Sequence, residues 1–593
     1  MSRVGRAGLL GAAVALGAAP APSPPADVVI VGAGIAGLSA AWEAAQAGAR
    51  VTVVDMWSVF GGHAVMSHGG LCIVGTPDQE ARGIRDSPDL AYEDFVDWGE
   101  DARPEWVRYY VQNSRREIYD WLTGMGVTFD AVTPVPGNSV PRFHETRGRG
   151  LNLVTPIYKA CLAQPGISFR FNLEVTGLVV EGGRVAGLRG RDMRTGVEQT
   201  LRASALVLAT GGFQSNLEMV RAHWPAPAPF PPRMLIGSGV NSIGSGHAIA
   251  QKAGAVLESL DHQWNYATGL PDPRDATMRR GLNANNPASI WVNAEGRRFV
   301  DESASDKFTL PALLAQPGAS YWAIFDEAAK REFWVSGSDW GDFATTERMI
   351  FRDPRLVKQA PSLDALAERI GVPRAALGQT LARYNALVAS GEDKDFARFH
   401  AGSEKRPRPI GSPPFYAVQF FPLSRKSMGG VRIDTGGRVV DKDERPLAGL
   451  YAAGELTGLA GINGKAGLEG TFLGPSIVTG RMAGRTAVTE LRQAGWQKPV
   501  TGTPPVTPAA VAVPERYRRT TYCQSCHNLG AALAEPPRRG YSHFEKVHKV
   551  VLERKNDCVS CHAELGQYHP GAHKIDRVAQ VETCRSCHVA VER

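Results

Sequence analysis

Two groups of residues in this 593-residue chain have types and spacing that do chemistry. The first is a set of glycines followed by an acid. Gly32, Gly34 and Gly37 form G-x-G-x-x-G directly after the apolar run Val28 to Val31, and Asp55 closes a second apolar run, Val51 to Val54. A tight turn, close approach of backbone to a pyrophosphate, and close packing of helix on strand each call for a residue without a side chain. A small-residue helix is predicted from about Leu38 to Ala47. Its N-terminus faces the phosphates, and Asp55 accepts hydrogen bonds from a ribose hydroxyl. A glycine pattern alone is weak, but strand, turn, helix, strand and acid in that order predict a dinucleotide site.

The second group lies near the other end. Cys523 with Cys526, Cys558 with Cys561, and Cys584 with Cys587 each form C-x-x-C, followed at once by His527, His562 and His588. Two thiols at this spacing add across the vinyl groups of a haem, and the histidine falls beneath the iron. Zinc sites and redox dithiols are the alternatives; three copies, all with the histidine, favour three covalent c-type haems. Four further histidines, His543, His548, His569 and His573, are candidates for three distal positions, and spacing does not choose among them. The segment has little apolar sequence, so its core must be the haems themselves. Cys72 and Cys161 are left without a partner and read as buried thiols.

Several elements must hold these groups. The length suits two to four domains. The formal charge, 66 − 59 = +7, is too dilute over the chain to argue for nucleic acid. Residues 498–514, KPVTGTPPVTPAAVAVP, favour extended backbone and read as a linker ahead of a haem domain over 515–593. At the other end, Arg3 and Arg6 precede the small apolar stretch Ala7 to Ala19, so residues 1–21 read as an export signal and the mature protein as periplasmic; a disordered arm is the other reading. The apolar stretch is too short to span a bilayer, and no longer one follows, so no stable membrane span is expected.

Between these ends, FGGHAVMSHGGL places Gly61 and Gly62 six residues or more before Gly69 and Gly70, with His63 and Ser67 between the pairs. Then follow LVLATGGF (Leu206 to Phe213, with Thr210, Gly211 and Gly212), NAEGRRFVDE (Asn293 to Glu302), SMGGVRID (Ser427 to Asp434) and GLYAAGE (Gly449 to Glu455, with Gly454), with Ser476 and Ile477 beyond. In this order the motifs resemble the flavoprotein family of fumarate reductases and succinate dehydrogenases, from Asp27 to about Leu491. The resemblance implies an α/β fold: a Rossmann-like FAD-binding domain over 27–254 and 415–493, interrupted by an α+β capping domain over 255–414. The glycines above, with Asp55, His63, Ser67, Thr210, Glu455, Ser476 and Ile477, are then expected around FAD. The insert is read as a lid over the flavin or, alternatively, a fixed oligomer surface. In one branch of the family the histidine at the register of His63 bonds covalently to the flavin; a plain hydrogen bond is the other reading.

The pocket positions depart from the reductases. Ser305 falls nearest the place of the family's proton-donating arginine, and Arg425 and Lys426 replace two histidines. Tyr266 replaces a third, and Lys465, in GINGKAG, matches a substrate arginine. The resemblance thus implies that Arg425, Lys465 and Tyr266 hold a carboxylate or an enone-like carbonyl, with fumarate itself a poor fit. Arg425 and Lys426 also read as a solvated strand end, and Arg142, His144 and Arg147 as either channel wall or surface loop. The whole chain is expected to be an exported flavocytochrome c: an FAD oxidoreductase that adds or removes hydride at a carbon–carbon bond beside a carbonyl or carboxylate. Its partners would be a small-molecule substrate and a one-electron carrier such as a quinol-linked cytochrome. A dehydrogenase resembling the ketosteroid branch and a non-catalytic electron relay are the alternatives.

Overall fold

The computed structural model describes residues 26–497, apart from 58, 194–195, 276, 338–339, 341 and 401–406. The three C-x-x-C-H motifs, the four further histidines, the linker and the N-terminal stretch lie outside the described residues.

The apolar runs around the glycine motif become adjacent parallel strands, Ala26–Val31 and Val51–Val54, paired in register from Val28 with Val51 to Val31 with Val54. Their sheet continues on one side through Ile167–Arg170 and on the other through Glu198–Leu208 and Pro446–Ala452, all parallel, to an antiparallel edge at Arg438–Val440. Helix Ile35–Gln46 covers this sheet and packs on helix Leu473–Gln493, the last among the described residues. Small residues allow that approach: a Cβ on Gly480 would stand 2.2 Å from the Ala36 carbonyl oxygen, and one on Gly484 2.3 Å from that of Ala40. A hydrophobic core common to sheet and helices joins residues from Val28 to Leu491, so the two chain segments fold as one body.

A second, mainly antiparallel sheet carries the cap. Its order is Ile290–Val292, Tyr321–Asp326, Phe415–Ser427, Gln263–Pro271, Gly281–Asn285 and Trp334–Val335. Helices Leu363–Ile370 and Arg374–Ser390 pack beside it over a core of their own. This moves the boundary expected at 415. Phe415–Ser427 is the central strand of the capping sheet, paired along both edges, and Leu235–Ile236 joins it from the earlier segment. A thirteen-residue run buried on both faces is what a central strand requires, whichever domain it serves. The motif NAEGRRFVDE is structural here: Glu302 binds Arg298 (2.7 Å) and Arg398 (3.0 Å), while Arg298 also reaches Asp393 (2.9 Å), all of them buried. Among the described residues, no helix is long and apolar enough to cross a membrane.

Candidate active site

A cavity of about 610 Å³ runs from the glycine turn of the first sheet to the underside of the capping sheet. At the first end, Gly32 has φ +110°, and a Cβ there would stand 2.2 Å from the Ala209 carbonyl oxygen, so only glycine makes this turn. Gly37 faces away from the cavity, where a Cβ would lie 1.8 Å from the Gly32 carbonyl oxygen, whereas one on Gly34 would meet nothing within 4 Å. Helix Ile35–Gln46 begins at Gly34 with no side-chain cap, leaving its first amide donors for an anion. Asp55 lines the cavity; each of its oxygens accepts one backbone amide, from Ala33 (2.7 Å) and Trp57 (2.8 Å). Burial pushes this carboxyl up to about 6 against those two amides, so a pair of ribose hydroxyls donating to its free lone pairs would favour the ionised form.

Further along, the Thr210 hydroxyl is buried without a protein partner at the cavity wall. Gly61, Gly62, Ser67, Gly69, Gly70, Gly211 and Ser476 line the same wall. Gly212 sits behind it, where a Cβ would be 2.3 Å from Glu455, and Gly454 donates its amide to Thr479 (3.0 Å). Ile477 is buried in the core. Glu455 is held by the Ser427 amide (3.0 Å) and lies 3.9 Å from Nδ1 of His63, an atom with no hydrogen-bond partner. Burial lowers the His63 pKa, keeping the ring neutral at the cavity wall. An uncapped helix end, an orphaned hydroxyl, an acid and a glycine-lined slot together suit a flavin dinucleotide.

The capping sheet supplies the other end. Tyr266 and Lys426 stand on neighbouring strands, with Lys426 Nζ donating to the Tyr266 hydroxyl (2.9 Å), which donates to Glu469 (3.3 Å). All three line the cavity, as does Arg425. Consecutive residues of a strand point to opposite faces, yet Arg425 and Lys426 both reach this space. The reason is a bulge: Trp264 pairs with Lys426 but Asn265 with Ser424, so Arg425 is the extra residue, and the bulge re-aims its side chain. Arg425 is buried and donates one arm to the Gly237 carbonyl, leaving its Nε unpaired. Lys426 lies over Trp264 (3.8 Å from the ring centroid) and within reach of Phe472 (5.0 Å); burial holds its ammonium down to about 8, with Glu469 opposing. The solvated-strand-end reading of these two cations is therefore overturned.

Lys465 is not brought to the cavity. Its side chain is exposed, and its backbone amide donates to Gly99 (2.8 Å), because the turn around it packs on the loop after Trp98. Ser305 likewise caps helix Asp306–Leu314 by accepting from Lys307, outside the cavity lining. Arg142 and His144 are neither channel wall nor surface. Arg142 is fully buried against Asp86 (2.8 Å) and Asp94, and His144 is buried against Thr76 (2.7 Å). Arg147 is exposed, paired with Asp130 (2.6 Å). Cys72 and Cys161 are buried free thiols, pushed up to about 12 by burial. Glu469 went unread in the sequence; its only signal was an acid inside the glycine-rich run after Lys465.

The model of the FAD binding domain family matches residues 27–473. The chain belongs to that FAD-binding family. Within it, this FAD-dependent oxidoreductase is 32% identical to a KsdD-like steroid dehydrogenase of Mycobacterium tuberculosis, over 79% of this chain and 96% of that one. It is also 32% identical to a fumarate reductase (cytochrome) of Shewanella frigidimarina, over 79% of this chain and 78% of that one. Among solved structures, the open conformation of a flavocytochrome c3 fumarate reductase aligns over 79% of each chain at 29% identity and a TM-score of 0.66. The flavoprotein half therefore has the α/β FAD-binding fold with a capping domain and acts on carbon–carbon bonds.

Proposed function

We propose that this flavoprotein transfers hydride at a carbon–carbon double bond conjugated to a carbonyl, on a substrate whose body is largely apolar, and exchanges the electrons with three c-type haems of its C-terminal segment. Bound in the cavity, FAD supplies the two-electron hydride chemistry. The observation that carries the reading is the composition of the cavity: Phe143, Trp334, Trp340 and Phe472 form apolar wall, and cations gather at the end holding Arg425 and Lys426. Cations placed there stabilise the enolate charge that develops as hydride moves. The reductases' proton-donating arginine has no counterpart at Ser305, which makes fumarate a poor substrate.

The haem relay rests on the three C-x-x-C-H motifs, and the periplasmic location on residues 1–21 together with those motifs, since such haems are attached outside the cytoplasm. Passing electrons singly through haems couples a two-electron step to a one-electron carrier. Anaerobic stopped-flow spectroscopy tests the function. Reduced protein reoxidised by cyclic enones, with fumarate at least about 100-fold slower, fits the reading; haem bands reduced by a saturated ketone reveal the dehydrogenase direction. Response to fumarate alone, or to none of these, excludes it. The intact mass of exported protein is expected to exceed the polypeptide by three haems.

A further inference from the structure

Hydride transfer to a conjugated carbonyl leaves an enolate, and a proton must arrive at the carbon beside the carbonyl. Ser305 is out of reach, so the cavity needs another donor. The cations at its polar end are suited to the enolate oxygen: an ammonium has three protons, and only one bond from Lys426 Nζ, to Tyr266, is made within the protein. Tyr266 differs. Its hydroxyl stands between a cation and a carboxylate, accepting from Lys426 (2.9 Å) and donating to Glu469 (3.3 Å). The ring is buried and lines the cavity, whereas Glu469 is only half-buried. A line of polar atoms therefore runs from the cavity through the phenol to a carboxylate that solvent reaches.

We infer that Tyr266 is the proton donor of the reaction, that Glu469 returns a proton to it from solvent, and that Lys426 positions the phenol and holds the oxygen when its proton leaves. The inference rests on the carbonyl-conjugated reading above. The step balances. With bound FAD supplying the hydride, a C–H bond would form at the carbon remote from the carbonyl and the electron pair of the double bond would move onto the carbonyl oxygen. The enolate then collapses, its α-carbon taking the proton as the Tyr266 O–H bond breaks. A proton carried by Glu469 restores the phenol.

The charged groups that act on this line are Glu469, Lys426, Arg425 and Asp306 around the phenol, Glu455 beyond Lys426, and His68 near Glu469. Burial, together with Glu469, keeps the phenol protonated well above the ordinary tyrosine range, so its proton is in place at neutral pH.

The test uses the full chain with its FAD, reduced anaerobically and mixed with cyclic enones from 2-cyclohexenone to 1,4-androstadiene-3,17-dione. Tyr266→Phe is expected to slow reoxidation of the flavin by the order of 10²–10³-fold at unchanged FAD content. Glu469→Gln is expected to slow steady-state turnover more than the first turnover. The wild-type rate is expected to fall as pH rises past about 8, and Lys426→Met to lose that limb. A readout independent of turnover is the ¹³Cζ-tyrosine resonance that vanishes in Tyr266→Phe: its titration is expected to shift down in Glu469→Gln and up in Lys426→Met. If enones reoxidise the wild type and Tyr266→Phe stays within about threefold, the donor role is wrong and the carbonyl reading survives. If no enone reoxidises the wild type and no saturated ketone reduces it, both fall.

Discussion

The two ends of the cavity are assembled in different ways. At the glycine end, the partners are close in sequence: Asp55 binds the amide of Ala33, 22 residues earlier, and the turn, helix and acid form one supersecondary unit. At the capping end, Lys426 meets Tyr266 across 160 residues and Tyr266 meets Glu469 across 203, on two strands and a loop. The first end works through backbone, with glycines chosen for absence of a side chain. The second works through side chains, and burial shifts the pKa values of two of them, Tyr266 and Lys426. A backbone site tolerates almost no change of residue, whereas a side-chain site such as that of Arg425, Lys426 and Tyr266 can change its residues while the backbone keeps its course.

Substitutions sharpen or break this contrast. The largest effect on stability is expected away from both ends, at the buried ion pairs of Arg142. Arg142→Met leaves Asp86, which is fully buried, and Asp94 without their cation, at a cost of about 3–5 kcal/mol in denaturant unfolding. Gly37→Ala drives a Cβ into the Gly32 carbonyl and is expected to cost about 3 kcal/mol and to lower FAD content, read by absorbance at 450 nm, roughly tenfold or more. Retained FAD in this variant would show that the glycine end is less strict than its geometry.

Lys426→Met probes the other end with the opposite sign. The folded pKa of Lys426 is held near 8, below the 10.5 of an unfolded lysine, so the protonated group is a penalty carried in full below pH 8 and relieved as pH rises to 10.5. The variant is expected to be more stable than wild type by about 1–2 kcal/mol at pH 7, after solvent screening at the cavity mouth, with the gain gone by about pH 10.5. Thermal melts across pH 6–10 measure it. The smallest effect belongs to Lys465→Ala: an exposed lysine outside the cavity is expected to change stability by less than about 0.5 kcal/mol and enone turnover by less than about twofold.

By itself the sequence determined the FAD end. The strands flanking the turn were read within two residues of their ends, and the thiols as buried; most of FGGHAVMSHGGL and parts of LVLATGGF and GLYAAGE line the cavity, whereas NAEGRRFVDE does not, because a local pattern reports backbone need or an apolar run and not what the backbone faces. The C-x-x-C-H motifs are equally local. The tertiary structure decided what depends on distant pairing. Register along Phe415–Ser427 placed that strand in the cap, and one extra residue in it turned Arg425 toward the cavity beside Lys426. The fold of the loop around Lys465 set that cation outside and brought Glu469, four residues on, against Tyr266. Spacing within a motif says which backbone turns are possible; which side chains share a cavity is settled by strand register and loop packing, where a shift of one residue exchanges inside for outside.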